Sequence, residues 1–496
     1  MSPADLLRAY CRAFAARDVA TIESLFAEDA VCDIPLLDER LVGRAHVVRE
    51  IATAIRGLRG IRVELGAIVE GDDDAMAEGL FFGALVGHPA QVDGTPARTD
   101  FRFVAVVEAP DGKIARLSEY FDTKPLKPWQ RQRLFNHAVR QSPYWESSVR
   151  AGAVEFMAYN HMTFPIVYGR TMAEEYVALT ERVTLWDVGC ERQTELRGPD
   201  ALRLADYLAS RDLSKLELGA CRYAYVCDPD GRIICDPVIL RPWPDVVWLS
   251  HGMADLTLWA RGIALEGGWD VAVSEPDVAP LQVQGPHSAD MLRGLVEAPI
   301  DALKFYRCTV TKVAGIDAVV SRTGWSGALG FEIFPLGSAR AIELWDALIE
   351  AGRPHGLVVT GPVVHRAVER NVTDTAYATN SGMNPYEAGG ERMVDLDAGD
   401  FIGRDALARI RRKGARRRTV GLFIDGDLPR LEWHWPLTDA RGKPGVVRWA
   451  AHSFALDRAV GIALVDAAVA EGERVRIDHP GGGAWASVTT LPFVEA

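Results

Sequence analysis

The chain has 496 residues, of which 48% are hydrophobic and 25% charged, the balance typical of a water-soluble globular protein with more than one domain. Its 55 basic and 68 acidic side chains leave a net charge of −13, which disfavours binding to nucleic acid or to an anionic membrane. No stretch reaches the roughly 18 uninterrupted apolar residues of a membrane span, and the N-terminus lacks the pattern of a secretory signal, so we expect a cytoplasmic protein.

The first 125 residues are predicted to form a separate α+β domain. Apolar residues recur at helical spacing in residues 6–14 and again in residues 47–55. The period then changes to two over residues 61–69, as expected for a half-buried strand, and further strands follow up to Phe121. Helices followed by an antiparallel meander predict a cone with a pocket between the sheet and the helices.

A linker is predicted after this domain, because residues 123–128 (TKPLKP) carry two prolines without apolar periodicity. Beyond it, the turn at residues 228–231 (DPDG) predicts a hairpin, and the apolar stripe of residues 340–350 predicts a helix. The predicted organisation is a domain over 1–125, a linker over 126–140, a central domain over 141–410, and a C-terminal β-barrel-like lobe over 411–496.

The basic run at residues 411–418 (RRKGARRR) stands out in an acidic chain. A solvated turn between two elements explains it most simply, and contact with the acidic tail of a ligand is the alternative. Seven cysteines form no C-x-x-C pair, and eleven histidines form no H-E-x-x-H pair. We therefore expect reduced thiols and no bound metal.

Several familiar chemistries lack support in this sequence. No G-x-G-x-x-G follows a strand, and neither a P-loop nor a G-x-S-x-G elbow occurs. The polar residues that remain lie in glycine-rich, aromatic settings, such as Trp325 followed by Gly330-Phe331-Glu332. A buried carboxylate beside an aromatic ring suits a flat heterocycle with paired N–H donors. Turn glycines and a solvated Glu332 would give the same pattern.

The phrases LFAEDAV and APDGKIARLSEYFD within residues 1–125 resemble the SnoaL-like, nuclear-transport-factor-2-like superfamily. That fold hosts isomerases, cyclases, lyases and binding modules. Asp33 stands one position before the place of the catalytic Asp of ketosteroid isomerases, which Ile34 occupies, so the resemblance argues against that reaction. His88, Asp100 and Arg102 are candidates to line the pocket. An accessory domain that binds, dimerises or shapes a substrate entrance is the simplest expectation.

From about residue 140 to the end, the chain resembles the aminomethyltransferase family, the glycine-cleavage T-protein fold. The matching phrases are, in order, LWDVGCERQTELRGPDA, SRDLSKLELGACRYAYVCDPDGRIICDPVIL, PLQVQGPHS, SRTGWSGALGFEIF, LWDALIEAG, NPYEAGGERMV and DFIGRDAL. The phrases YNHMTFP, WDVGCERQ, SRDLSK and CDPV resemble most the tetrahydrofolate-dependent demethylase branch typified by dimethylsulfoniopropionate demethylase. The aryl O-demethylases are neighbouring relatives.

The resemblance implies a three-lobed cloverleaf with tetrahydrofolate in its central channel. Its cofactor-binding residues would be Tyr223, Asp236, Trp325 and Glu332, with Glu332 on the pterin edge and Trp325 either walling the ring or packing. Its catalytic residues would be Tyr159, His161 and Asp236, with Tyr159 and His161 nearer the methyl donor. A satisfied core histidine is the alternative for His161.

Departures from the family pattern imply that contacts with the substrate and with the folate tail differ from those of the family. Cys235 replaces the first acid of the amine-releasing enzymes, which argues against methylene-amine chemistry. Ala367 stands two residues before Glu369 where the family has Arg, and Arg366 is one position off. The aligned Tyr is replaced by Thr375, with Tyr377 two residues later.

The predicted function is a tetrahydrofolate-dependent demethylase that moves a methyl group from a small organic donor, a methoxylated aromatic or a sulfonium, to N5 of tetrahydrofolate. A phenolate leaving group needs an acid such as Tyr159 or His161, whereas a sulfide does not, which slightly favours an oxygen donor here. The alternatives are a formaldehyde-releasing lyase in the N-terminal domain coupled to one-carbon capture on tetrahydrofolate, and a non-enzymatic folate-binding protein.

Overall fold

A computed structural model describes residues 1–35, 39–85, 100–121, 139–372, 381–428, 434–479 and 481–495. It divides into two compact units, Met1–Asn136 and His137–Ala496. The predicted linker at 126–140 falls largely outside the described residues, as do His88, Thr375 and Tyr377. No helix of the described part of the chain is long and apolar enough to cross a membrane.

The first unit packs helices against one mixed sheet, in agreement with the predicted α+β cone. Its sheet order is β2-β1-β6-β5-β4-β3, with β1 parallel to β6 and the other pairs antiparallel. The elements are α1 (Pro3–Ala16), α2 (Val19–Leu25), β1 (Phe26–Ile34), β2 (Glu39–Val42), α3 (Arg44–Arg56), β3 (Leu58–Glu70), β4 (Asp74–Leu85), β5 (Phe101–Glu108) and β6 (Ile114–Phe121).

The meander from β3 to β6 was predicted from the sequence, whereas β1 and β2 were not. Strand β1 buries Phe26, Ala30 and Cys32 but exposes the adjacent acids Glu28 and Asp29. Two consecutive polar residues interrupt the alternation by which a strand is recognised in a sequence. Ser2 caps the N-terminus of helix α1, because its hydroxyl accepts a hydrogen bond from the Asp5 amide. The helix buries the predicted apolar face.

The second unit contains a five-stranded antiparallel sheet, a six-stranded mixed sheet, two short hairpins and a closed barrel. Its helices are α4 (Trp145–Arg150), α5 (Met172–Glu181), α6 (Ala201–Leu208), α7 (Leu256–Gly267), α8 (Ser288–Leu292), α9 (Ala341–Gly352), α10 (Val364–Glu369) and α11 (Arg404–Lys413). Short 3-10 helices span Ile300–Ala302, Arg353–His355 and Glu391–Met393.

The strands of the second unit form five groups in the described residues. The hairpin pairs β7 (Glu155–Tyr159) with β8 (Met162–Val167), and a second hairpin pairs β12 (Val226–Cys227) with β13 (Ile233–Cys235). A five-stranded sheet has the order β11 (Cys221–Tyr223), β14 (Val238–Trp243), β15 (Val246–His251), β10 (Arg192–Arg197), β16 (Ala272–Ser274). A six-stranded sheet has the order β18 (Cys308–Val313), β19 (Ile316–Ser321), β20 (Gly330–Pro335), β17 (Leu281–Gln284), β9 (Val183–Asp187), β21 (Leu357–Val359). The closed barrel has the order β22 (Arg417–Ile424), β25 (Arg458–Asp466), β24 (Pro444–Ser453), β23 (Trp435–Thr438), β26 (Arg474–Ile477), β27 (Ala484–Thr489).

The predicted hairpin at residues 228–231 and the predicted helix at 340–350 are both present. The hairpin strands are shorter than expected, because Tyr223 belongs to β11 and pairs with Val238 in a different sheet. The basic run is divided among the end of α11, a turn and the start of β22.

The centre of the six-stranded sheet consists of strands whose every residue is buried, namely β9, β17 and β20. Such strands are normally apolar along their whole length. These carry Gln282, Gln284 and Glu332, which are buried polar residues that require partners. These three buried polar side chains mark the centre of the sheet as the candidate functional site.

Candidate functional site

Glu332 lies on β20 at the centre of the six-stranded sheet and is 5% exposed. Its cross-strand partners are Gln282 on β17 and Ser321 on β19. The Gln282 amide donates to Glu332 Oε1 at 2.8 Å, and the hydroxyl of Thr323 donates to Glu332 Oε2. Burial raises the pKa of Glu332, while these hydrogen bonds oppose the rise.

A second carboxyl group, Glu191, faces Glu332 from the turn between β9 and β10. The Gln282 amide also donates to Glu191 Oε1 at 3.3 Å. The pKa of Glu191 is raised well above its usual value by burial and then by the charge of Glu332, with a smaller contribution from Asp236. The two carboxyl groups therefore retain a shared proton above the usual carboxyl range.

Glu191 was not singled out in the sequence, although it lies in the phrase WDVGCERQ. Glu191 lies four residues after the fully buried β9 and immediately before β10, in a position that no local pattern marks as part of a site. The sequence could not show that this acid would meet one from a distant strand.

Tyr223 and Asp236, both predicted from the family resemblance, are joined by a hydrogen bond. The Tyr223 hydroxyl donates to Asp236 Oδ2 at 2.7 Å. Tyr306, which the sequence analysis did not single out, belongs to the same group. Its pKa is raised to about 12 by burial, then by the charge of Glu332, with a smaller effect of Asp236. Three carboxyl groups and two phenols thus share one region of the second unit.

Tyr159 ends β7, and its phenol is influenced by the same carboxyl groups. Burial raises its pKa, the charges of Asp236 and Glu191 add to the rise, and the Met253 backbone opposes it through a hydrogen bond. A Cβ added at Gly252 would lie 2.4 Å from the Tyr159 hydroxyl oxygen. Only glycine leaves room for the phenol at this position.

His161 lies elsewhere, although it is two residues from Tyr159. Asn160 and His161 are the central residues of the β7–β8 hairpin, and both have positive φ, as in a type I′ turn. Asn160 is buried, and its amide donates to the carbonyls of Cys190 and His251. The His161 side chain is 61% exposed and its Nε2 is 3.4 Å from Asp255.

Trp325 is half-buried and packs, together with Tyr159, against one apolar cluster. Its ring contacts Trp449 of the barrel edge-to-face, with centroids 5.6 Å apart. It is thereby fixed at the border between the central sheet and the barrel.

Two departures from the family pattern have structural consequences. Glu369 is fully buried and accepts hydrogen bonds from Tyr176, Ser453 and Arg366, the last at 3.2 Å. Arg366 therefore pairs with Glu369, and this group joins α10 to α5 and the barrel. Cys235 is a buried thiol next to Asp236. Where the amine-releasing enzymes have two adjacent acids, this chain therefore has Asp236 alone.

A cavity of about 560 Å³ is lined by none of these residues. It is bordered by Arg416, Arg417 and Lys443, of which Arg417 pairs with Glu387 at 2.9 Å and Lys443 with Asp466 at 2.6 Å. Part of the basic run thus lines a cavity of mixed charge.

In the first unit, Asp33, Asp100 and Arg102 each have a polar partner. Asp33 pairs with Arg116 at 2.7 Å, while Ile34 packs against the core, in line with the one-residue offset. Arg102 is 80% exposed at its side chain and pairs with Glu78. The Asp100 carboxylate accepts a hydrogen bond from the Gly83 amide at 3.3 Å.

The interior of the first unit contains a carboxyl group that was not predicted. Glu119 accepts a hydrogen bond from the Tyr10 hydroxyl at 3.3 Å, and burial raises its pKa to about 7. It shares its face of β6 with the buried Leu117 and with Phe121. Phe121 stacks on Phe101 with centroids 5.0 Å apart.

Comparisons with known proteins assign both units to families. Residues 145–398 match the GCVT N-terminal domain, residues 417–495 the glycine cleavage T-protein C-terminal barrel domain, and residues 7–117 the SnoaL-like domain.

Among similar proteins, the dimethylsulfoniopropionate demethylase of Ruegeria pomeroyi is 34% identical over 69% of this chain and 94% of its own length. An aminomethyltransferase of Moorella thermoacetica is 31% identical over 72% of this chain and 98% of its own. The crystal structure of the glycine cleavage aminomethyltransferase of Bartonella henselae superposes with a TM-score of 0.65 at 24% identity, over 72% of this chain and 98% of that one. The chain therefore belongs to the aminomethyltransferase (glycine cleavage T-protein) family of folate-dependent transferases and carries a SnoaL-like domain at its N-terminus.

Proposed function

We propose that this protein is a tetrahydrofolate-dependent demethylase that transfers a methyl group from a small cationic donor to N5 of tetrahydrofolate. The observation that carries the proposal is the buried group of Glu332, Gln282 and Glu191, which concentrates hydrogen-bond acceptors at one place in the family's central domain.

The buried polar residues of this group match the hydrogen-bonding groups of tetrahydrofolate. A pterin presents several N–H donors along one edge, and Glu332 offers a carboxylate to such an edge. Gln282 Oε1 is buried without a hydrogen-bond partner among the described residues, which is costly unless a ligand donates to it. Glu332 and Gln282 would hold the pterin edge, and Tyr223 with Asp236 would border it. When bound, tetrahydrofolate supplies the nucleophilic N5 nitrogen.

The protein's contribution to methyl transfer is chiefly orientation. Holding the nucleophile in line with the methyl carbon and its leaving atom can supply about 7–11 kcal/mol. Tyr159 sits among the same carboxyl groups, and the lack of space at Gly252 holds its phenol in place.

The charge of the site favours a sulfonium or another cationic donor over a methyl ether. Asp236 and the Glu191–Glu332 pair, which keeps one proton, leave net negative charge at the site, and this charge stabilises a cation and opposes a departing phenolate. His161 is exposed beside Asp255, which leaves Tyr159 as the acid. Its raised pKa makes Tyr159 a weak proton donor to a phenolate, whereas a neutral sulfide needs none. These points reverse the slight preference for an oxygen donor.

A turnover assay with a panel of donors tests the proposal. Purified protein and tetrahydrofolate are incubated separately with dimethylsulfoniopropionate, a methoxybenzoate and an N-methylated amine. We expect 5-methyltetrahydrofolate with the sulfonium. Formation of 5,10-methylenetetrahydrofolate would instead support one-carbon capture, and stoichiometric binding without product would support a folate-binding protein.

A second candidate function rests on the Glu119–Tyr10 pair. A carboxyl with a pKa of about 7 is suited to accept or return a proton at neutral pH. In this alternative, the first unit releases formaldehyde and the second captures it on tetrahydrofolate. Glu119→Gln should then abolish formaldehyde release while tetrahydrofolate binding is retained. Unchanged turnover by this variant would leave the first unit without a chemical role.

A further inference from the structure

An exposed corner of the second unit brings together two histidines and an aspartate from distant parts of the chain. His287 precedes α8, Asp290 lies in its first turn, and His355 ends the 3-10 helix Arg353–His355. One potential ligand atom from each residue lies within 4.8 Å of the other two. Two imidazoles and a carboxylate form a ligand set that first-row divalent cations such as Zn²⁺ accept.

The distances already approach those of a zinc site. His287 Nδ1 lies 3.4 Å from Asp290 Oδ2. In a tetrahedral site with metal–ligand bonds of about 2.0–2.1 Å, neighbouring ligand atoms are separated by about 3.3–3.5 Å. The ring centroids of His355 and His287 are 6.3 Å apart. Both side chains are at least partly exposed, so rotation about their side-chain bonds can bring a His355 ring nitrogen to ligand distance from the other two ligand atoms.

The surrounding residues orient the carboxylate toward His287. Arg293 donates to Asp290 Oδ1 at 3.0 Å, and this leaves Oδ2 directed at the imidazole. Arg293 is itself held by both carboxylate oxygens of Asp301, at 2.9 and 3.0 Å. Hydrogen bonds of this kind to a ligating carboxylate recur in metal sites, where they fix the ligand's orientation.

The corner is also constrained by its backbone. Gly356, directly after His355, has a φ of 68°, and an added Cβ there would lie 3.1 Å from Arg182. The His287 amide donates to the carbonyl of Arg182 at 3.1 Å. The same segment thus contacts both histidine-bearing turns, which keeps them adjacent without a ligand.

We propose that His287, Asp290 and His355 form a binding site for Zn²⁺ or a similar divalent transition metal, with water completing the coordination. The site connects the turn before α8 with the corner after α9, so metal binding should stabilise the folded second unit. The sequence predicted no metal site, because the histidines are far apart in the chain. This inference does not depend on the proposed demethylase activity.

Calorimetric titration of tag-free, chelator-treated full-length protein with Zn²⁺ tests the proposal, with Co²⁺ absorption as a spectroscopic probe. We expect one Zn²⁺ per chain and a rise in melting temperature with Zn²⁺ concentration. Ca²⁺ should not compete, because it prefers all-oxygen sites. His287→Gln and His355→Gln should each weaken Zn²⁺ binding by roughly tenfold or more.

His452→Gln is the matched control. His452 is as exposed as His287, at 46%, and lies 3.3 Å from a single carboxylate, Asp457. Its replacement should leave Zn²⁺ binding unchanged. The proposal is overturned if the wild-type protein does not bind Zn²⁺. It is equally overturned if folded His287→Gln and His355→Gln variants bind Zn²⁺ as the wild type does.

Discussion

Glu191 and Glu332 face each other across the Gln282 amide, which donates to Glu191 at 3.3 Å and to Glu332 at 2.8 Å. Burial and their mutual repulsion allow this pair to keep a proton that two separate carboxyl groups in water would lose. The stability of the second unit should therefore depend on the charge of this pair.

The pair predicts how the stability of the second unit depends on pH. Because the folded pair keeps a proton that the unfolded chain releases near the usual carboxyl pKa, the free energy of unfolding should fall as pH rises through the raised pKa. Glu191→Gln removes the like charge, so this fall should become smaller. Urea unfolding of both proteins at a series of pH values measures it, and an unchanged slope would show that the pair does not share a proton.

Glu332→Gln should weaken tetrahydrofolate binding by about 1.5–3 kcal/mol, the range for a charge-assisted hydrogen bond. The substitution keeps the size of the side chain but removes its charge and replaces one acceptor with a donor. Calorimetry on the folded variant measures the loss. Glu175→Gln is a suitable control, since Glu175 is also a buried glutamate with a pKa raised to about 7 but belongs to α5. Equal affinity of Glu332→Gln and the wild type would refute the pterin contact.

Tyr223→Phe deletes the hydroxyl that donates to Asp236 at 2.7 Å. We expect tetrahydrofolate affinity to fall by about 0.5–1.5 kcal/mol, because Asp236 loses a neutral hydrogen-bond donor while the aromatic ring remains. Tyr207→Phe serves as the comparison, since Tyr207 lies on α6 and packs against Trp269, with ring centroids 5.8 Å apart. If Tyr223→Phe and Tyr207→Phe bind tetrahydrofolate with equal affinity, the Tyr223–Asp236 pair has no part in tetrahydrofolate binding.

Gly252→Ala should lower turnover more than it lowers tetrahydrofolate affinity. The new Cβ would lie 2.4 Å from the Tyr159 hydroxyl and must displace the phenol, whereas Glu332 is not touched. Steady-state kinetics and calorimetry on the same preparation separate the two effects. Gly262→Ala is the control, because Gly262 lies within α7 with nothing within 4 Å of the added Cβ, and Ala there should stabilise by up to about 1 kcal/mol. Full turnover by Gly252→Ala would exclude Tyr159 from the reaction.

Glu119→Gln should reduce the pH dependence of stability in the first unit. Folded Glu119 keeps its proton up to a pKa of about 7, compared with a usual value of 4.5, so its stabilising contribution is complete below about pH 4.5 and is lost as pH rises through 7. The contribution of Glu119 to the free energy of unfolding should change by about 3 kcal/mol across this pH window. Thermal unfolding between pH 4.5 and 8 measures it. A variant with the same pH profile as the wild type would place the Glu119 carboxyl in contact with water.

Much of the fold was accessible from the sequence because its signals are local. Helix α1 follows from the spacing of Leu6, Leu7 and Tyr10, and the meander from β3 to β6 begins where the apolar period changes to two. Strand β1 escaped prediction, because Glu28 and Asp29 interrupt its apolar alternation. Its parallel pairing with β6 joins opposite ends of the first unit, which no local pattern encodes.

The site shows the same division between local and long-range information. By itself, the sequence determined the family, the candidate residues Glu332, Tyr223 and Asp236, and the loss of an acid at Cys235, because each belongs to a contiguous phrase. Only the tertiary structure decided that Glu191 meets Glu332, since strand pairing brings together residues that are distant in the chain. It also decided that the His161 side chain is exposed beside Asp255, whereas the Tyr159 phenol is influenced by Asp236 and Glu191. Both central residues of this turn have positive φ, but Asn160 is buried and His161 is exposed, because the direction of each side chain depends on how the whole hairpin packs.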